Sequence, residues 1–235
     1  MPLKLLLAFI VVTLPLKALA YDGPMVLALT WQPAFCEKRS NLPECVGQKR
    51  GRFDTTNLSL HGLWPGPRGV EYCGVDTETI RLDKRRQWKR LPGLGLPSDI
   101  QRQLFDRMPG VRSGLHRHEW VKHGTCYGAD AVTYFDDSLA ALNAVNRGAV
   151  GRLMRRSLGR YVTARAIRDA VEEDFGRGAG TKVRLKCTRD GKRNLVQELR
   201  FNLGGPLDNF ADALARGRST GRGCDGGVVD RAGLQ

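Results

Sequence analysis

The stretch VRLKCTRDGKRNLVQELRFNL, residues 183–203, decides the fold class. Apolar and basic residues alternate over 183–187, as expected for a strand with one buried face. Asp190 and Gly191 then form a turn pair. After the turn, apolar residues return along one face at Leu195, Leu199, Phe201 and Leu203. The pattern predicts an antiparallel hairpin near the C-terminus.

Two more strands are predicted near the N-terminus, over residues 25–31 and 58–64. The second strand alternates, which separates Leu58 and Leu60 on one face from Ser59, His61 and Leu63 on the other. His61 is therefore expected to project from a face of the sheet.

Helical patterns occupy the middle of the chain. Ser98 and Gln101 form a predicted capping box at the start of one helix, and Thr163 is the predicted N-cap of another. Between them, apolar residues recur with helical spacing over 134–145. Strands at both ends with helices between them predict an α+β fold, an antiparallel sheet with packed helices, rather than alternating βαβ units.

The composition is that of a globular protein with an unusual charge. The 235 residues are 41% hydrophobic and 26% charged, which excludes a disordered or fibrous chain. The 38 Lys and Arg residues outnumber the 24 Asp and Glu residues, which leaves a net charge of +14. Such a charge favours a polyanionic partner, either nucleic acid or an anionic membrane surface.

The first twenty residues have the pattern of a secretory signal peptide. Lys4 precedes the apolar stretch 5–14, which is too short to span a membrane, and residues 18–20 form the cleavage site Ala-Leu-Ala. We expect cleavage after Ala20, which leaves a single domain, residues 21–235, that is periplasmic or secreted and not held in a membrane. Two lysines are removed, so the net charge falls from +14 to +12. An uncleaved membrane anchor is the alternative.

The cysteines are even in number, and the chain is expected to be exported. They are Cys36, Cys45, Cys73, Cys126, Cys187 and Cys224. In an oxidising compartment they should form disulfides, although the sequence alone leaves their pairing open. A zinc site is the alternative, but no C-x-x-C motif occurs.

A basic run lies between residues 81 and 90, where six basic residues accompany a single acid. Its ordinary interpretation is a solvated loop or helix face. A dedicated phosphate-binding strip is the alternative.

Three of the four histidines lie in two segments, LSLHGLWPG at 58–66 and RHEWVKHGTCYG at 117–128. A helix over the second segment, at about 100° per residue, brings four polar side chains to one face. These are His118, Glu119, Lys122 and His123. The zinc-protease motif H-E-x-x-H is one alternative, but the second histidine comes one residue late and Lys122 takes the ligand position. A plain polar surface helix is the other.

Two histidines, one lysine and one glutamate match the requirements of RNA cleavage without a metal. The reaction needs one group to remove the 2′-OH proton, another to protonate the departing 5′-oxygen, and cations around a pentacovalent phosphorus. Histidine serves both proton roles near neutral pH, and lysine offsets the added negative charge.

The segments HGLWPG (61–66) and HEWVKHGTC (118–126) are similar to the two active-site segments of the ribonuclease T2 family, in the same order. Similarity to bacterial members of the family extends over VLALTWQPAFC, VRLKC and GCDGGVVDRAGL, residues 26–36, 183–187 and 223–234. The resemblance implies an α+β fold and an endoribonuclease acting on single-stranded RNA in two steps. The first step forms a 2′,3′-cyclic phosphate, and the second hydrolyses it to a 3′-phosphate.

The resemblance also implies a role for each site residue. His123 is the expected general base and His61 the general acid, with the roles exchanged in the second step. Glu119 and Lys122 are expected to stabilise the pentacovalent phosphorus, and His118 to bind phosphate. No metal or cofactor is implied. The sequence by itself does not show which histidine takes which proton.

One departure from the family pattern bears on base specificity. Many members have Asp after HGLWP, where it helps to form a base site, whereas this chain has Gly66. Trp64 offers a π-face on which any base can stack. Tyr72 lies near the family's second stacking aromatic, or is a half-buried structural tyrosine. Weak base specificity is expected.

The resemblance further implies three disulfide pairs. They are Cys36 with Cys45, Cys73 with Cys126, and Cys187 with Cys224. The second pair ties the loop after the first active-site segment to the end of the second segment, and the third fastens the C-terminal tail to the hairpin.

The sequence therefore predicts an exported, monomeric, metal-independent endoribonuclease. Its partner is RNA, and DNA should bind weakly and remain uncut because it lacks the 2′-hydroxyl. One alternative is a basic RNA-binding or cytotoxic protein without turnover, although the four predicted catalytic residues are all present. The other alternative is a secreted metal-dependent nuclease.

Overall fold

The computed structural model describes residues 21–66 and 69–233, so the predicted signal peptide, residues 1–20, lies outside the described residues. The α-helices of the described part are α1 (Gln32–Cys36), α2 (Thr77–Lys84), α3 (Ser98–Arg107), α4 (Leu115–Lys122), α5 (Ala131–Arg147), α6 (Ala149–Arg156), α7 (Ala164–Phe175) and α8 (Phe210–Arg216). Its β-strands are β1 (Pro24–Thr30), β2 (Ser59–Pro65), β3 (Tyr161–Thr163), β4 (Val183–Asp190), β5 (Arg193–Gly204) and β6 (Gly226–Val228). This content confirms the predicted α+β fold. No helix in this part of the chain is long and apolar enough to span a membrane.

The six strands form one mainly antiparallel sheet. Its order is β2-β1-β5-β6-β3, and β4 pairs with β5. Strand β1 lies between β2 and β5 and is antiparallel to both. Side chains of β2 and β5 can therefore meet across β1, although the two strands are far apart in sequence.

The predicted C-terminal hairpin is confirmed. Strands β4 and β5 are antiparallel, and Asp190 pairs with Arg193 across the turn. The predicted apolar face of β5 is buried, with exposures of 1% or less at Leu195, Leu199, Phe201 and Leu203. Burial of each such side chain contributes about 1.5–3 kcal/mol, so this face is a main part of the core.

The two predicted helix caps have different outcomes. Helix α7 begins as predicted, because the Thr163 hydroxyl accepts a hydrogen bond from the Ala166 amide at 3.1 Å. The capping box at Ser98 is wrong: Ser98 is already inside α3, and the Gln101 side chain donates to the Leu96 carbonyl at 2.6 Å. Pro97 takes the N-cap position, since its ring suits the residue that leads into a first turn.

Strand β2 departs from the predicted alternation at His61. Successive β1 residues, Leu29 and Ala28, pair with Leu60 and Gly62, so His61 is an extra residue in β2. Such a β-bulge redirects the side chains around it. Two leucines predicted on opposite faces, Leu60 and Leu63, consequently both join the core, whereas His61 and Trp64 are both partly exposed.

The three disulfides pair the cysteines as the family resemblance implied. They join Cys36 to Cys45, Cys73 to Cys126, and Cys187 to Cys224. The second bond fastens the segment after β2 to the turn that follows α4. A cross-link that closes a loop of this size stabilises a fold by roughly 4 kcal/mol in the chain-entropy model. It also holds the two histidine segments together.

Candidate active site

The first histidine segment places His61 between two buried carboxyl groups. Its Nδ1 lies 2.7 Å from Glu198 Oε2, and its Nε2 lies 3.7 Å from Glu119 Oε1. Burial lowers the pKa of His61, but the hydrogen bond to Glu198 and the charges of both carboxylates outweigh it, so the pKa is raised above its usual 6.5. The two carboxylates therefore favour the protonated form of His61.

Glu198 is the partner that determines this state. It lies on β5, is 5% exposed, and also accepts a hydrogen bond from Arg200 Nε at 2.6 Å. Burial raises the pKa of Glu198, but His61 and Arg200 lower it further, to about 2. A permanently charged carboxylate on Nδ1 leaves Nε2 of His61 as the nitrogen that can exchange a proton with substrate.

Helix α4 contributes Glu119, which is 1% exposed and packs against β2. Its Oε2 accepts a hydrogen bond from the Trp64 indole nitrogen at 2.8 Å, and its Oε1 lies 3.9 Å from His118 Nε2. A Cβ at Gly62 would lie 1.9 Å from Oε2, so only glycine permits this close approach of helix and strand. Burial raises the pKa of Glu119 against the opposing charges of its neighbours.

His123 ends α4 in an environment opposite to that of His61. Its ring lies 5.7 Å from that of Trp64 and 6.3 Å from that of His118. Among the described residues, its Nδ1 is buried without a hydrogen-bond partner. Burial, followed by the charges of Lys122, His118 and His61, lowers the pKa of His123 to about 3. A neutral imidazole at this position can accept a proton.

His118 is held by a buried acid and an aromatic ring. Its Nδ1 lies 2.7 Å from Asp83 Oδ1, and its ring stacks on Trp88 at 4.7 Å. Asp83 is 3% exposed and also accepts a hydrogen bond from the Tyr72 hydroxyl at 2.8 Å. Burial raises the pKa of Asp83, but these contacts outweigh it and lower the pKa. The charged acid orients His118 with Nε2 toward Glu119.

Lys122 lies on the same side of α4 as Glu119 and His123, close enough for its charge to act on both. Its ammonium group is 3.5 Å from Glu71 Oε1, and its carbonyl accepts a hydrogen bond from the Tyr72 amide at 2.9 Å. Lys122 is 27% exposed, so its charge can reach a substrate from the rim of the site.

The two predicted base-stacking residues are both at the site. Trp64 gives its indole N–H to Glu119, and the Arg200 guanidinium lies 4.8 Å from its ring centroid. Tyr72 is half-buried and bonded to Asp83. Both rings thus have structural contacts in addition to any contact with a base.

The seven predicted site residues converge, and four further ones were missed. The missed residues are Asp83, Trp88, Glu198 and Arg200. Asp83 had a sequence signal, because it is the single acid in the basic run. The hairpin pattern also placed Glu198 and Arg200 opposite the apolar face of β5, but their meeting with β2 depends on strand register that the sequence does not show. No cluster of three or more His, Cys, Asp or Glu side chains that could hold a metal occurs within residues 21–66 and 69–233.

Comparison with known proteins identifies the family of the chain. Residues 22–213 match the model of the Ribonuclease T2 family. The chain is 30% identical to Ribonuclease I of Escherichia coli over 195 residues, which cover 69% of this chain and 68% of that protein. It is 26% identical to Ribonuclease 1 of Arabidopsis thaliana over 174 residues, 70% of this chain and 67% of that protein.

The fold is also that of solved ribonucleases. A crystal structure of RNase NT in complex with 5′-AMP superposes with a TM-score of 0.58 at 20% identity, covering 88% of this chain and 96% of that chain. Trichomaglin, described as an S-like ribonuclease, superposes with a TM-score of 0.57 at 19% identity, covering 90% and 98%. These similarities support the fold, and the family match with the converging residues supports the activity. The chain belongs to the ribonuclease T2 family of endoribonucleases.

Proposed function

We propose that this protein is an exported endoribonuclease that cuts single-stranded RNA by acid–base catalysis, without a metal or other cofactor. The observation that carries the proposal is the opposite charge environment of His61 and His123. Glu198 favours the protonated form of His61, and burial with nearby cations favours the neutral form of His123. An acid and a base are thus available in the same pH range.

The first step uses the neutral imidazole as base. His123 takes the proton of the 2′-hydroxyl, whose oxygen attacks the adjacent phosphorus, while His61 protonates the departing 5′-oxygen. The 2′–O–P bond forms, the P–O5′ bond breaks, and the product is a 2′,3′-cyclic phosphate. In the second step the histidines exchange roles: His61 activates water, and His123 returns its proton to the 2′-oxygen to leave a 3′-phosphate.

The remaining side chains act on the pentacovalent phosphorus. Lys122 offsets its extra negative charge, and His118 binds a phosphoryl oxygen. Glu119, whose pKa is raised by burial, donates a hydrogen bond when protonated. Its Oε1 lies within 4 Å of Nε2 of both His61 and His118, so the three groups can meet one phosphate.

Weak base specificity is supported by the backbone at Gly66. Its φ is +88°, and a Cβ there would lie 2.5 Å from the Cβ of Val70. An aspartate therefore does not fit this position, and no carboxylate is available there to select a base. Trp64 and Tyr72 remain as aromatic surfaces that accept any base by stacking.

Export is supported by the three disulfides, which persist in oxidising compartments, together with the predicted cleavage after Ala20. We propose a periplasmic or secreted monomer whose partner is RNA. DNA should bind through its phosphates and remain uncut, because it lacks the attacking 2′-hydroxyl.

The test uses one RNA sequence and its DNA counterpart, each with and without excess EDTA. We expect RNA cleavage unchanged by EDTA, no DNA cleavage, and cyclic phosphate ends that precede 3′-phosphates in ³¹P NMR. His61→Ala protein purified in parallel controls for contaminating ribonucleases. Cleavage of DNA at a comparable rate, or loss of activity with EDTA, contradicts the mechanism.

A further inference from the structure

A second concave site adjoins the catalytic one. It has a volume of about 410 Å³ and is lined by Arg86, Gln87, Trp88, Lys89, Arg90 and Ser113. We call it the Arg86 pocket. Trp88 joins it to the active site, because the same indole lines the pocket and stacks on His118 at 4.7 Å. Only the Trp88 side chain therefore separates the pocket from an RNA strand bound at His118.

The pocket is strongly cationic. Within the described residues, Arg86, Lys89 and Arg90 form no ion pair with a carboxylate, whereas Arg81 in the same run is paired with Glu78. The Trp88 indole nitrogen is buried and has no hydrogen-bond partner among the described residues. Three exposed cations without a carboxylate partner, of which only Arg90 has a side-chain hydrogen bond in the described part of the chain, to Gln87 Oε1 at 2.8 Å, are the groups that an anionic oxygen-rich ligand would satisfy.

Arg86 is held in a backbone conformation that disfavours it. Its φ is +58°, in the left-handed region. The Arg86 and Gln87 amides donate to the Asp83 and Leu82 carbonyls, which is the pattern that usually ends a helix with glycine at this position. Any residue with a Cβ is less stable than glycine in this conformation. Unfavourable backbone conformations of this kind are found at functional sites. What arginine provides at this position, and glycine would not, is a guanidinium group in the pocket.

We propose that the Arg86 pocket binds a second phosphodiester of the RNA strand, next to the one that is cleaved. The proposal rests on the proposed function, since it assumes an RNA strand at His118. Arg86 supplies the main contact, because a guanidinium matches the paired oxygens of a phosphate. Lys89 and Arg90 add charge. The pocket makes the enzyme prefer longer RNA without selecting a sequence.

The test compares Arg86→Gly with the native protein on two substrates. One is a dinucleoside monophosphate, which has a single phosphate. The other is a nine-nucleotide DNA with one ribonucleotide at its centre, which is cut at a single defined bond. We expect Arg86→Gly to lower kcat/KM about three- to tenfold on the longer substrate and to leave the dinucleotide unchanged. The salt slope of binding should decrease by about 0.7.

Three controls make the result specific. Arg86→Gly should unfold at an equal or higher temperature than the native protein, because glycine relieves the backbone conformation. Arg86→Lys, which keeps the charge, should recover part of the length preference. Arg165→Ala removes an exposed arginine on α7, far along the sheet from β2, and should leave the length preference intact.

Three outcomes would contradict the binding of a second phosphodiester at the Arg86 pocket. They are an equal loss on both substrates, no loss on either, or the same selective loss in Arg165→Ala. Native protein that cleaves neither substrate would instead contradict the proposed function itself.

Discussion

The two histidines proposed as acid and base differ in their charged neighbours. His61, on the bulged strand β2, contacts Glu198 and faces Glu119, whereas His123, at the end of α4, lies beside Lys122 and two other histidines. Carboxylates raise the pKa of the first, and burial with cations lowers the pKa of the second. These surroundings favour a proton donor in the first segment and a proton acceptor in the second.

This difference supports one assignment of acid and base, which the sequence leaves open. Two histidines in two motifs are interchangeable as donor and acceptor, but their surroundings are not. In the proposed mechanism, Glu198 on β5 favours the acid role of His61, and the surroundings of His123 at the end of α4 favour its role as base. We therefore expect that mutation can alter the acid role or the base role without altering the other.

Loss of either histidine should have the largest effect. His61→Ala and His123→Ala should each lower kcat/KM on RNA by about 10²–10⁴-fold, because each removes a proton-transfer group. The activities of the two variants should differ on a nucleoside 3′-(4-nitrophenyl phosphate). The leaving group of this ester departs as a stable anion and needs no proton. His61→Ala should recover most of its rate on this ester, and His123→Ala should not.

The binding of RNA serves as the control for this experiment. Affinity for an uncleavable 2′-O-methyl RNA should change little in either variant, since most phosphate contacts remain. Recovery by His123→Ala rather than His61→Ala would show that the assigned roles are reversed. Equal recovery, or none, would contradict the separation of acid and base.

Glu198→Gln should have the next largest effect, and one that depends on pH. An opposite charge in contact shifts a pKa by about 1–3 units, so removal of the carboxylate should lower kcat/KM at pH 8 about 10- to 100-fold. At pH 5, where His61 stays protonated without help, the loss should be small. Glu78→Gln, which removes an exposed carboxylate paired with Arg81, is the matched control and should match native protein at both pH values.

A loss of the same size at both pH values would mean that Glu198 supports the fold of β5 rather than the protonation of His61. Titration of the His61 ring protons by NMR distinguishes the two directly. The pKa of His61 should fall in Glu198→Gln if the carboxylate sets it.

The pH profile of the native enzyme tests the difference between the pKa values of His61 and His123. The pKa of His123 in the free enzyme is lowered to about 3, so it is a competent base well below neutral pH. The pKa of His61 is raised, so it remains a competent acid above 6.5. The profile of kcat/KM should be bell-shaped, with its acidic limb below pH 6.5 and its basic limb above it. Histidines that both titrate near 6.5 by NMR would contradict this.

The sequence predicts the local elements well and the contacts across the sheet poorly. The hairpin and the Thr163 cap follow from short patterns, and the two histidine segments identify the family. The bulge at His61 has no local signature, because an extra residue is defined only by the pairing of β2 with β1. Glu198 is missed for the same reason: Thr30 pairs with both Ser59 and Glu198, and this register alone brings the acid near His61.

The third histidine, His118, extends the comparison, because it is also held by a carboxylate. Its acid is Asp83, which Tyr72 supports through a hydrogen bond. Tyr72→Phe should keep the ring and remove that bond, leaving one buried carboxylate oxygen unpaired. Because an unpaired buried acceptor costs about 1–3 kcal/mol, part of which is relieved by water, we expect a two- to fivefold fall in kcat/KM.

Tyr72→Phe also separates the two roles that the sequence allows for this residue. A tyrosine that only stacks on a base loses nothing when it becomes phenylalanine, since the π-face is retained. If Tyr72 positions His118 through Asp83, Tyr72→Phe should change the NMR chemical shifts of the His118 ring and lower kcat/KM equally on substrates with different bases. Tyr72→Ala should then add a further loss only if the ring also contacts the base. Native activity and unchanged NMR chemical shifts of the His118 ring in Tyr72→Phe would assign Tyr72 to stacking alone, and would limit the positioning of histidines by carboxylates to His61.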